Sequence, residues 1–261
     1  MKHRTSCALL LSLLAGNVLE ADTVVLESSK DNTLFEQANG TLSNGSGSFI
    51  FAGLSRQPEG LQTRRAALAF DIAGTVPAGA TITSATLTIR VTRSISNELP
   101  STLHRLTADW GEGASDANGQ EGTGTAAQDG DATWIHSFSP DTEWDRPGGD
   151  FVTTASATTE IGAVGTYDWS STLLADDVQD MLDNPGDNFG WLILCDEETF
   201  GGAKQIASRE NTDSPVPVLE IEFEPRDTAK APVATPVGLA LLGLALLGGA
   251  ARIGRRRSMP A

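Results

Sequence analysis

Residues 85–92 read ATLTIRVT, and this alternation decides the fold class. Successive side chains of a strand point to opposite faces, so Leu87, Ile89 and Val91 share one side and Thr86, Thr88, Arg90 and Thr92 the other. Residues 218–224, VLEIEFE, repeat the pattern, with Leu219, Ile221 and Phe223 set against Glu220, Glu222 and Glu224. Strands with one wet face belong to antiparallel sheets. Outward from these two, short apolar or alternating runs predict strands over 23–27, 48–54, 66–72, 103–106, 133–138, 166–169, 189–195 and 204–208. Strands this short and this numerous predict an all-β, antiparallel β-sandwich over residues 22–225.

One short helix interrupts the pattern, predicted over 172–182. Ser170 or Ser171 caps it, Asp176 and Asp177 lie in its early part, and Leu174, Val178, Met181 and Leu182 share one side. Asn184-Pro185-Gly186 stops it. The Asn-Gly pairs at Asn39, Asn44 and Asn118 mark turns. Residues 111–131, GEGASDANGQEGTGTAAQDGD, have almost no apolar content and are expected to form a long surface loop.

The chain has 261 residues, of which 18 are Lys or Arg and 34 Asp or Glu, a net charge of -16. Its two ends hide part of the imbalance: residues 22–230 hold 12 Lys and Arg against 33 Asp and Glu, a net of −21. Nucleic acid is excluded as a partner, because binding to phosphate backbones depends on Lys and Arg releasing condensed counterions. Regular alternation, five Trp and nine Phe supply a core and exclude disorder for most of the body.

The ends read as processing segments. A basic tip (Lys2, His3, Arg4) precedes the apolar stretch CALLLSLL at 7–14, so residues 1–21 are expected to be a secretory signal peptide cleaved after Ala21. Cleavage removes Cys7 and leaves Cys195 alone, where it ends an apolar run and reads as a small buried thiol. Residues 226–236 read as a linker. Residues 237–257 read as a transmembrane sorting segment: the run VGLALLGLALLGGAA at 237–251 is closed by Arg252, Arg255, Arg256 and Arg257, which orient the tail inside and the body outside.

Pro232 and Pro236 before that short Leu/Gly/Ala run, with the Arg cluster behind it, resemble the PEP-CTERM type of C-terminal sorting signal. The resemblance implies export in a Gram-negative bacterium, display at the cell surface or release from it, and processing by an exosortase-like enzyme. The proline motif here is Pro232-Val233-Ala234-Thr235-Pro236 rather than Pro-Glu-Pro, and a plain tail anchor is the alternative.

The body resembles the DNRLRE-domain proteins, which are related to disaggregatase-associated domains and to a group of carbohydrate-binding modules. The residues that carry this are Asp31-Asn32-Thr33-Leu34, RAALAFDI at 65–72, VPAGATITSATL at 76–87, the stretch 103–113 with Trp110, Ala132-Thr133-Trp134, the segment from Trp169 through the helix to Trp191, and Ser208-Arg209-Glu210-Asn211 before Pro217-Val218-Leu219. The match spans nearly all of residues 22–225. It implies a jelly-roll-like β-sandwich, exported and associated with carbohydrate machinery, with no single activity to carry over.

Residue chemistry narrows the function. The chain has no Gly-x-Ser-x-Gly elbow, no His-Glu-x-x-His zinc motif and no phosphate-cradling loop. Sugar-binding sites set flat indole faces against pyranose rings, and Trp110 and Trp144, in polar surroundings, are the expected exposed candidates; Trp134, Trp169 and Trp191 read as core. Arg65 and Arg209 could grip uronate carboxylates, or else pair internally with acids such as Glu210 or Asp71. Asp109, Glu112, Asp129 and Asp131, with Asp116 and Asp150 nearby, are candidate ligands for a structural calcium ion, although no EF-hand loop or Gly-Gly-x-Gly-x-Asp repeat supports one.

The expectation is therefore a non-catalytic exported protein that binds polysaccharide or organises extracellular matrix. Two alternatives stay open: a polysaccharide-degrading enzyme using carboxylates such as Asp109/Glu112 or Glu143/Asp145, and a structural surface protein without a ligand. A flat aromatic platform would favour the binder and an exposed Trp beside paired carboxylates the enzyme. Burial of all five Trp would favour the structural protein.

Overall fold

The computed structural model describes residues 21–226. Almost all of the expected signal peptide and of the linker, and the sorting segment with Pro232, Pro236, Arg252, Arg255, Arg256 and Arg257, lie outside these residues. Among the described residues no helix is long and apolar enough to cross a membrane.

The first half of the chain supplies β1 (Asp22–Glu27), β2 (Lys30–Phe35), β3 (Leu42–Ser43), β4 (Phe49–Leu54), β5 (Thr63–Ala69), β6 (Thr81–Arg93) and β7 (Leu99–Arg105). The second half supplies β8 (Thr125–Ala126), β9 (His136–Phe138), β10 (Thr142–Glu143), β11 (Ala157–Ile161), β12 (Gly165–Ser170), α1 (Thr172–Asp183), β13 (Trp191–Cys195), β14 (Lys204–Ala207) and β15 (Val218–Glu224). Eleven strands form one large antiparallel sheet that curls into a half-barrel, in the order β1-β15-β6-β14-β4-β5-β13-β7-β11, with β12 also on β6 and β2 on β5.

The curl turns at β4. Residues Phe49 to Ala52 pair with β14, whereas Gly53 and Leu54 pair with β5. Gly53 has φ 105, a left-handed conformation that L side chains rarely adopt, and a Cβ there would meet Ala203 Cα at 3.1 Å and Cys195 Cβ at 3.2 Å. The longest strand, β6, holds the first half of the sheet together by pairing with β12, β15 and β14.

The concave side holds the main core. Leu87, Ile89 and Val91 of β6 and Leu219, Ile221 and Phe223 of β15 face Ala66 and Leu68 of β5 and Trp191 and Ile193 of β13. Each fully buried Leu, Ile or Phe contributes about 1.5–3 kcal/mol relative to an exposed one. The alternation in β6 and β15 is therefore the signature of a sheet with one dry face. Helix α1 adds Leu174, Val178, Met181 and Leu182 to this core, as its side-chain spacing predicts. Ser171 caps it by accepting the Leu174 N–H at 3.0 Å. Gln179 ties the helix to β6 by accepting the Ile82 N–H at 2.8 Å and donating to the Ala80 carbonyl at 3.2 Å.

A second cluster lies on the outer face of β5 and β13, with Ala67, Ala69 and Leu192 packed against Leu34, Leu106, Trp110, Ala132 and Trp144. These two strands are buried on both faces, which is why AALA and WLILC read as continuous apolar runs. Their cover is the segment expected to be a surface loop. Within 111–131, Ser115, Ala117, Glu121 and Asp131 are buried, and β8 pairs with β3. The physical reason is that side chains stand in for a backbone ladder. Asp131 accepts the N–H groups of Ala114 (2.9 Å), Ser115 (3.4 Å) and Gln128 (2.7 Å), and Asn32 donates to the Glu112 carbonyl at 2.8 Å.

Two strands of the large sheet, β2 and β11, carry no apolar alternation and are not legible as strands. In β2 the polar Asp31, Asn32 and Thr33 are all fully buried: Asn32 and Thr33 find partners in this covering layer and in β4, and Asp31 Oδ2 accepts the Arg209 N–H.

Candidate functional site

Trp110 and Trp144 lie elsewhere than their polar neighbours in sequence suggest, whereas Trp169 and Trp191 are core as expected. Trp110 is 1% exposed and Trp144 5%, so neither offers a face to a ligand. Each donates its ring N–H at 2.9 Å to a carbonyl, Trp110 to Phe189 and Trp144 to Thr133, and so both are satisfied inside the covering layer. Trp169 and Trp191 are fully buried, bonded to the Ser101 carbonyl and the Asp177 carboxylate respectively. Trp134 is partly buried beneath the Arg65 guanidinium, 4.8 Å from its ring centroid. Among the described residues there is no exposed indole platform.

Arg65 is bidentate on Glu197, at 2.7 Å and 3.0 Å, and donates to the Gly148 carbonyl. Asp71, the acid suggested by sequence proximity, instead accepts the Gly74 N–H. The candidate calcium ligands do not converge. Asp109 pairs with Lys30 at 2.9 Å, Asp129 is exposed, Asp131 has both oxygens occupied by backbone N–H groups, and Asp150 holds the N–H groups of Asp145 and Arg146. Of the pairs considered for glycoside hydrolysis, Asp109 and Glu112 are each engaged by a cation, and Glu143 and Asp145 are exposed.

Glu112 alone of these belongs to an acidic cluster, with Asp31 from β2 and Glu210 from the β14–β15 connection. One carboxylate oxygen of each lies within 4.8 Å of the others. Arg209 sits among them. Its Nη1 lies 3.1 Å from both Glu112 oxygens and 2.7 Å from Glu210 Oε1, and its backbone N–H donates to Asp31 Oδ2 at 2.7 Å. Burial pushes the Asp31 carboxyl well above the usual carboxylate range, against the pull of the Arg209 N–H, and burial likewise raises Glu210.

A cleft of about 380 Å³ opens where β4 ends and β5 begins, between the 118–123 segment and the end of β6. Arg56, Arg64 and Arg93 line it with Gln57, Gln120 and Gln205. Arg64 is buried in the wall, where it donates to the Leu61, Thr63 and Gly122 carbonyls and stacks on Phe35; burial lowers it to about 10, so it stays charged at neutral pH. Arg56 and Arg93 are exposed, and neither pairs with a carboxylate among the described residues. Arg93 donates to Gln120 Oε1 at 2.9 Å. Ile95, 58% exposed, supplies an apolar edge.

The carboxylate in the wall is Glu121, which accepts from Asn44 and from the N–H groups of Ser48 and Phe49. These bonds hold its backbone at φ 58, a left-handed conformation unusual for a non-glycine residue. Nothing in the sequence marks this cleft. Its arginines are 8 and 29 residues apart in the chain, and only the curl of the sheet collects them. No model of a known protein family matches the chain, and no curated protein is similar to it.

Proposed function

We propose that the protein is a non-catalytic, exported β protein that binds polysaccharide at the cell surface or in the surrounding matrix. On this reading residues 22–225 are a jelly-roll-like sandwich of the DNRLRE type, carried outward by the N-terminal leader and held or processed through the C-terminal segment. The supporting observation is the cleft. In a body with 33 acids, two exposed arginines without a carboxylate partner among the described residues face one concavity beside glutamines and an apolar edge. Guanidinium groups in a fork geometry bind carboxylates bidentately, and glutamines match sugar hydroxyls, so the chemistry suits a glycan bearing acidic sugars. The body's net charge of −21 works against a polyanion, while salt screening over about 8–10 Å lets the cleft arginines act on a bound sugar locally.

Burial of four of the five indoles favours a second reading, a structural surface protein without a ligand. The enzyme reading has less support, since the cleft wall offers one carboxylate and its hydrogen bonds lie within the protein. Affinity electrophoresis through neutral and acidic polysaccharides separates these. Retardation by an acidic glycan is expected, lost in the double variant Arg56→Gln/Arg93→Gln with an unchanged unfolding midpoint. Equal migration in every gel would assign the structural role, and release of reducing ends from the retarding glycan would assign the enzyme.

A further inference from the structure

The acidic cluster answers to a different ligand from the cleft. We infer that Asp31, Glu112 and Glu210 form a binding site for a divalent cation, with calcium the matching ion. This stands whether or not the chain binds a glycan.

The three carboxylates come from sequence positions far apart, and the fold brings one oxygen of each within 4.8 Å of the others. Asp31 is fully buried, yet its Oδ1 has no hydrogen-bond partner; Oε2 of Glu210, also buried, has none either. An unpartnered buried carboxylate oxygen is destabilising unless a proton or a cation meets it. Arg209 brings one positive charge to three carboxylates, and its hydrogen bonds reach Glu112, Glu210 Oε1 and Asp31 Oδ2 but neither of these two oxygens. Its side chain is 38% exposed and those of Glu112 and Glu210 23% and 25%, so the cluster reaches solvent at these three side chains.

The donor set is all hard oxygen. Calcium takes six to eight such ligands in flexible geometry, completing its shell with water, whereas magnesium demands a smaller, near-octahedral cage and dehydrates reluctantly. Three carboxylates held by a strand and two separate connecting segments fit the looser requirement. The sequence stretches Asp31-Asn32-Thr33-Leu34 and Ser208-Arg209-Glu210-Asn211 thereby acquire a shared role, as the two sides of one ion site.

The test uses the full chain in mild detergent, stripped with EGTA and titrated with calcium chloride by calorimetry, alongside thermal unfolding. Saturable binding of one ion is expected, with Tm rising by about 5–10 °C at a hundredfold excess over Kd. Magnesium should give a smaller rise. Asp31 is buried enough that its replacement risks the fold, so the diagnostic variants are Glu112→Gln and Glu210→Gln, each expected to weaken calcium binding by about tenfold or more while remaining folded in EGTA. Asp129→Asn, an exposed acid elsewhere, should bind as the parent does. A parent with no saturable calcium binding overturns the assignment, as does full-affinity binding in both diagnostic variants.

Discussion

Asp131→Asn should destabilise the protein by about 2–4 kcal/mol, although the two side chains are nearly isosteric. The carboxylate is fully buried and uses both oxygens: Oδ1 accepts the N–H groups of Ala114 and Ser115, and Oδ2 accepts that of Gln128 at 2.7 Å. An amide keeps one oxygen and turns an NH2 group toward N–H donors on the other side. One charge-assisted bond of about 1.5–3 kcal/mol is lost, and a buried donor left without an acceptor adds about 1–3 kcal/mol, with partial relaxation holding the sum below the upper limit. In urea, at about 2–3 kcal/mol/M, the midpoint should fall by about 1–2 M with an unchanged slope. Asp129→Asn, two residues away and exposed, is the control and should stay within about 0.5 kcal/mol. If Asp131→Asn shifts the midpoint no more than this control, the reasoning fails, and 111–131 is a loose surface loop after all.

Two other outcomes follow from the same layer and its neighbour. Trp144→Ala should cost about 3–5 kcal/mol in denaturant unfolding, because it empties a buried site and strands the Thr133 carbonyl; a variant that kept its stability would show that the indole is not packed as described. Glu36 governs part of the acid limb. Burial opposes its ionisation, but hydrogen bonds from Thr63 and Gln62 prevail and lower its pKa, so its contribution is present above the usual glutamate range and lost as pH falls through the lower folded-state value. Tm measured from pH 6 to 3 should therefore fall less steeply in Glu36→Gln than in the parent, and identical slopes would contradict the assignment.

Much of the frame was written locally. The alternation in 85–92 and 218–224 marked two strands and their dry faces, and the extension of β6 to Thr81–Arg93 changed only its ends. The helix was legible down to its cap, since Ser171, the spacing of Leu174, Val178, Met181 and Leu182, and the Asn184-Pro185-Gly186 stop all act within a few turns. The buried thiol of Cys195 was equally readable from its apolar run; burial raises it to about 11. These features depend on neighbours within about ten residues.

What the sequence could not reveal depends on groups that only the folded sheet brings together, whether 8 residues apart like Arg56 and Arg64 or 132 apart like Arg65 and Glu197. Trp110 and Trp144 sit in polar stretches that suggest exposure, yet those stretches fold back as a second layer over β5 and β13, and the polarity serves to replace a ladder of backbone bonds. The same closure takes Arg65 to Glu197 rather than Asp71, collects Arg56, Arg64 and Arg93 around one cleft, and brings Asp31, Glu112 and Glu210 together. The sequence by itself determined that this chain is mostly β, where its alternating faces lie and where its helix begins. The tertiary structure alone decided which polar and charged groups meet, because strand periodicity is a property of adjacent residues, whereas hydrogen bonds and charge pairs between loops depend on how the whole sheet curls.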